Sequence, residues 1–139
     1  MTNAEKKSPD GIDEAMIERL VRGFYSKVRD DALLGPVFAS RIADWEPHLQ
    51  TMCRFWSSVM LTSGTYKGQP LPKHVPLPID KQHFAHWLEL FEETARELFP
   101  EAVARQFVER AQRIGESLQL GIAVGRNMML KRGEGLPVS

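Results

Sequence analysis

Residues 80–98 read DKQHFAHWLELFEETAREL. Phe84, Trp87, Leu88, Phe91, Ala95 and Leu98 recur every three or four positions, which at 3.6 residues per turn puts them on one face of a helix. Asp80 stands just ahead of that stripe and can accept from the free N–H groups of the first turn. Pro100 follows and interrupts the helix. A helix with one apolar face needs other apolar faces to cover it, so the rest of the chain is read for partners.

Downstream, Val103, Phe107, Ala111, Ile114 and Leu118 predict a second helix over residues 101–124. Upstream, residues 63–79, SGTYKGQPLPKHVPLPI, hold Gly64, Gly68, Pro70, Pro72, Pro76 and Pro78. So many breakers exclude a long helix, and a loop of this length inside a compact domain is often functional. Before it, Met52, Phe55, Trp56 and Val59 mark a helix that begins near Asp44, with Pro47 tolerated in its first turn. The first helix carries Ile17, Leu20, Val21, Phe24 and Val28. Asp30, Asp31, Gly35 and Pro36 then break it, and residues 36–38 predict a short apolar corner. No stretch alternates as a strand would. The expectation is an all-α fold with four main helices and one long loop.

The chain has 139 residues, enough for one core and a pocket inside it. Lys plus Arg and Asp plus Glu number 18 each, a balance that argues against a nucleic-acid or acidic-membrane surface. The single cysteine, Cys53, excludes an internal disulfide framework, and its place off the main stripe predicts a small helix-packing residue. No run of about 18 apolar residues is present to span a membrane, and the polar start MTNAEKKSPDG has no signal-peptide core, so a cytoplasmic location is expected. Residues 1–11 read as a disordered lead, residues 12–126 as the folded domain and residues 127–139 as a loose tail.

Three polar side chains sit where the stripes are apolar. His48 projects within the stripe of Met52, Phe55 and Val59. Tyr25 borders that of Phe24 and Val28, and Trp87 is central to its own. Each turns a donor inward, where an unmet donor costs about 1–3 kcal/mol. The ordinary explanation is a local partner for each, a carbonyl or solvent for the tyrosine, plain core packing for the indole and backbone for the histidine. The functional explanation is one small polar ligand that meets all three. Of the remaining histidines, His86 projects opposite its stripe and reads as solvated. His83 lies in the first turn as a surface or capping residue. His74 hangs in the breaker-rich loop, where periodicity is silent. His83 and His86 form an i,i+3 pair that could bind a metal on a helix, but no third ligand stands at matching spacing. There is no Gly-rich phosphate loop, no HExxH and no GxSxG.

Read together, several strings resemble one family, the group III truncated haemoglobins. They are residues 24–29 (FYSKVR), 34–38 (LGPVF), 44–48 (DWEPH), 55–56 (FW), 64–74 (GTYKGQPLPKH) and 83–91 (HFAHWLELF). They occur in order over roughly residues 12–125, and the absence of any Gly-Gly pair fits group III rather than the other truncated groups. The resemblance implies a truncated globin, a two-over-two helical sandwich enclosing haem b. It implies His74 as the proximal iron ligand and Tyr25, His48 and Trp87 on the distal, gas-binding side. It further implies that Phe24, Phe38, Met52, Phe55 and Trp56 line the haem pocket and that Lys73 is partner to a haem propionate.

The function so implied is the binding of O2 and related diatomics such as NO and CO. The roles that would use it include oxygen transport to an oxidase, sensing, NO detoxification and peroxidase-like chemistry, with turnover supplied by an external reductase because nothing in the sequence binds NAD or flavin. The alternative expectation is a cofactor-free helical interaction module whose inward donors are bonded internally. Neither reading calls for nucleic acid or a membrane span as partner.

Overall fold

The structure is a computed structural model that describes residues 11–64, 66, 68 and 79–125. Among these, five helices form: α1 (Glu14–Asp30), α2 (Leu34–Ala39), α3 (Trp45–Leu61), α4 (Lys81–Leu98) and α5 (Glu101–Gly125), with no strand. Helix α1 packs on α3 and on α4, and α4 packs on α5, so the pair α1–α3 lies over the pair α4–α5. That is the expected two-over-two arrangement. No helix among the described residues is long and apolar enough to cross a membrane.

The stripes become the core. Ile17, Leu20, Phe24, Val28, Phe91, Ala95, Phe107 and Ala111 are all buried. Ala104 and Val108 join the buried face of α5, inside the same turns as the predicted stripe. Asp13 caps α1 by accepting from the Met16 N–H at 2.9 Å. Asp80 caps α4 as expected, accepting from the Gln82 N–H at 2.8 Å, and His83 Nδ1 accepts from the Asp80 N–H at 3.1 Å in return. This reciprocal cap satisfies donors that a helix start leaves open. Asp44 occupies the cap position of α3, but its side chain makes no capping bond. The third residue of that helix is Pro47, which has no N–H to offer.

Two expectations need correction. The segment read as an apolar corner is the helix α2. Pro36 falls in its first turn, where a proline is tolerated. Asp31 Oδ2 accepts from the N–H groups of Leu33 (3.0 Å) and Leu34 (2.8 Å), which starts the helix directly after α1. Gly35 allows the close approach, because a Cβ there would lie 3.0 Å from the Arg29 carbonyl oxygen and 3.3 Å from that of Val28. The second correction concerns His86, which is half-buried and not simply solvated. Its Nε2 lies 2.5 Å from Asp31 Oδ1. The face of α4 opposite its core stripe is met by the turn between α1 and α2, a contact 55 residues away in sequence that helical periodicity cannot see.

Candidate functional site

Among the large apolar side chains that are only partly buried are Phe38, Met52, Phe55, Phe84, Trp87 and Ile114. All six border a single cavity of about 570 Å³ between the two helix pairs. Each presents part of its surface to that hollow. Its size falls within the roughly 300–1,000 Å³ of small-molecule and cofactor sites, and so does the character of its wall, aromatic and aliphatic with few polar groups. Among the described residues, Arg41 is the only formally charged side chain in the wall, which His48 and His83 also border.

The structure brings the three inward donors to this hollow. Tyr25 from α1, His48 from α3 and Trp87 from α4 all line it. Tyr25 and His48 are in edge-to-face contact, with ring centroids 5.1 Å apart and planes at 88°. Trp87 is joined to them through Phe24, which meets Tyr25 at 4.9 Å and Trp87 at 5.7 Å. The indole is also the end of a stacked column. Trp56 stacks on Phe91 at 4.9 Å and 20°, and Phe91 on Trp87 at 5.6 Å and 16°. Stacking on a core residue that is 1% exposed limits the tilt of the indole.

Tyr25 is 5% exposed, and burial pushes its phenol well above the ordinary value, so it stays a neutral hydrogen-bond donor. Among the described residues its hydroxyl has no hydrogen-bond partner. A hydroxyl in the wall of an apolar hollow, on a residue otherwise packed in the core, fits a bound group that carries an acceptor into the cavity. The Nε2 atom of His48 is likewise shielded from solvent. Phe38 and Trp45 extend the aromatic rim, with Phe38 5.6 Å from Tyr25 and the Arg29 guanidinium 4.8 Å over the Trp45 ring.

Of the residues named from the resemblance, Tyr25, Phe38, His48, Met52, Phe55, Trp56 and Trp87 border the hollow. Phe24 does not; it lies one layer behind, 2% exposed, and holds Tyr25 and Trp87 in place. His74 and Lys73 lie outside the described residues. Arg41 and Thr51 also border the hollow and went unnoticed in the sequence, and so does Tyr66, which stood only within the string 64–74 and was given no role. Isolated side chains beyond the stripes carry no periodic signal, although Arg41 stands two residues past the end of α2. Among the described residues no group of three or more His, Cys, Asp or Glu could hold a bare metal ion. His83 and His86 are instead engaged by Asp80 and Asp31.

The comparisons agree with this geometry. The family model of bacterial-like globins matches residues 11–115. The group 3 truncated haemoglobin ctb of Campylobacter jejuni is 36% identical over 127 residues, covering 88% of this chain and 94% of that protein. The crystal structure of the group III truncated haemoglobin from the same organism superposes with a TM-score of 0.75 at 35% identity, over 91% of this chain and 98% of that one. Two further crystal structures are more distant. A haemoglobin of Chloroflexus aurantiacus has a TM-score of 0.64 at 25% identity and covers 76% of this chain and 89% of its own. A group II truncated haemoglobin of Bacillus anthracis has a TM-score of 0.62 at 25% identity, over 76% and 82%. The chain therefore belongs to the bacterial-like globin family, as a group III truncated haemoglobin whose cofactor is haem b.

Proposed function

We propose that this globin retains O2 and related diatomics, NO and CO among them, in the hollow between its helix pairs, and that the retained ligand is put to redox use. The observation that carries the reading is the meeting of three donors, from three different helices, in the wall of one apolar cavity. Haem held by one imidazole supplies an open iron position for a diatomic and a one-electron couple.

The chain supplies the rest. His74 would hold the haem iron in this reading. Met52, Phe55 and Trp56 provide apolar surface for the macrocycle, and Arg41 or Lys73 provides a cation for its carboxylates. The Tyr25 hydroxyl, His48 imidazole and Trp87 indole donate toward the ligand space. Fixed donors at a place where negative charge develops favour slow release and polarisation over free carriage. NO detoxification and peroxidase-like turnover both suit such a site, and both draw electrons from a separate reductase.

The visible spectrum tests the assignment. Protein loaded with haemin should show a Soret band that is lost in His74→Ala and kept in His83→Ala and His86→Ala. Protein that takes up no haemin would refute the reading and leave the helical interaction module. NO consumption with a matched reductase then tests the redox use; consumption no faster than that of free haemin would refute it.

A further inference from the structure

Helix α3 begins without a cap of its own. The Asp44 side chain makes no capping bond, and Pro47 brings no N–H to the first turn. Helix ends held so weakly fray, and a side chain carried on such a turn loses its aim. His48 is carried on this one. Its ring is nevertheless placed, edge-on to Tyr25 at 5.1 Å and 88°, with Nε2 shielded from solvent. The support comes from α1.

Arg22, Tyr25 and Arg29 stand at i, i+3 and i+7 along one face of α1. Each meets a residue in the first turn of α3. The Arg22 guanidinium donates to both carboxylate oxygens of Glu46, at 3.0 and 2.8 Å, and Glu18 accepts from its Nε at 2.9 Å on the other side. Tyr25 meets His48 itself. The Arg29 guanidinium lies 4.8 Å over the Trp45 ring, and Trp45 stands edge-on to His48 at 5.7 Å and 89°. Two cations about two turns apart on α1 thus pin the two residues that open α3. Exposed contacts of this kind add little to stability. A bidentate arginine–carboxylate pair does fix geometry, and here it fixes the turn that carries the imidazole.

We infer that Arg22 and Arg29, acting through Glu46 and Trp45, are positioning residues that hold His48 in the hollow beside Tyr25. The inference deepens the reading above and rests on it for what His48 does to a ligand; the placement of the ring does not depend on that reading. With both contacts gone, the first turn of α3 loosens and the imidazole trades the apolar wall for water, where a polar ring is better solvated.

The test uses the full chain with Arg29→Gln, Glu46→Gln and the two combined, and with Arg29→Lys to keep a cation over Trp45. Each is also made on a His48→Ala background. Nuclear Overhauser contacts between the His48 and Tyr25 rings report the placement, without haemin and in the ferrous CO form. Stopped-flow displacement of O2 by CO reports the consequence. The ring contacts should be present in the wild type and in Arg29→Lys, weakened in each glutamine variant and lost in the double variant. O2 release should quicken by about fivefold in the double variant, the factor that goes with one neutral hydrogen bond, and should not change further on the His48→Ala background. Arg29 and Glu46 are exposed, so either single variant carries the test should the double variant not fold. Wild-type ring contacts in the glutamine variants would overturn the placement. An equal quickening on the His48→Ala background would overturn it too, by making the arginines general supports of the fold. Unchanged release in a variant that has lost the ring contacts would overturn their part in retention. A chain that takes up no haemin, or whose release is unchanged by His48→Ala alone, would refute the reading above and leave the positioning of His48 to be decided by the ring contacts.

Discussion

Replacing Tyr25 by phenylalanine removes one oxygen atom from the wall of the central hollow and little else. The phenyl ring keeps the edge contacts to Phe24 at 4.9 Å and Phe38 at 5.6 Å, so the fold should be unchanged. The hydroxyl is a neutral donor across the ordinary pH range, because burial holds the phenol protonated. A neutral hydrogen bond to a ligand is worth about 1 kcal/mol, which corresponds to about a fivefold faster O2 release. Where the acceptor carries partial negative charge the bond is worth roughly 1.5–3 kcal/mol, and the factor rises above about tenfold. The same reasoning applies to Trp87→Phe. The two donors act on one ligand, so the double variant should differ from the product of the single effects. Stopped-flow displacement of O2 by CO measures these rates directly. Off-rates unchanged in both single variants, with the Soret band intact, would refute the assignment of these side chains to ligand retention.

Three further expectations concern the frame around the site. Asp80→Ala removes the cap that starts α4 and should cost about 1 kcal/mol in urea unfolding; a value near zero would mean that His83 alone holds the helix start. For Asp31, burial raises the carboxyl value, but the bonds from His86 and from the Leu33 and Leu34 N–H groups outweigh it and hold the group below its ordinary value. Its stabilisation is therefore full at neutral pH and lost as pH falls through the ordinary aspartate value of about 3.9 and below. The cost of Asp31→Ala, about 1 kcal/mol at pH 7, should shrink toward zero in acid, as urea titrations across that range would show. Ser57 is 2% exposed; its hydroxyl donates to Glu14 at 2.7 Å and lies 2.7 Å from the Ser63 hydroxyl. Ser57→Val should cost about 1 kcal/mol by removing those hydrogen bonds, read as a lowered midpoint of thermal unfolding.

The helices were legible because their stripes repeat at helical spacing over several turns, and the faces of α1, α4 and α5 pack as that spacing requires. Tyr25, His48 and Trp87 were legible for the converse reason, as polar groups interrupting apolar faces. Helix α2 was obscured because Gly35 and Pro36 are breakers in isolation, and only the neighbouring end of α1 makes them suitable. The pairing of His86 with Asp31 depends on a contact between distant segments, which no local pattern encodes. Arg41 was missed because an exposed charge after a short helix looks like any other surface residue. The assignment of His74 came from family resemblance alone, since a histidine in a proline-rich segment has no period to betray its direction.

The stacked column of Trp56, Phe91 and Trp87 separates the residue that touches the ligand space from the residue that sets its angle. Phe91 borders no part of the central hollow and is enclosed by the core. A leucine there would preserve hydrophobicity and most of the volume while releasing the indole from its flat support. Lineages diverging at this one interior position could therefore acquire different gas-holding times with every cavity-lining residue unchanged. A comparison restricted to those lining residues would miss the origin of the difference.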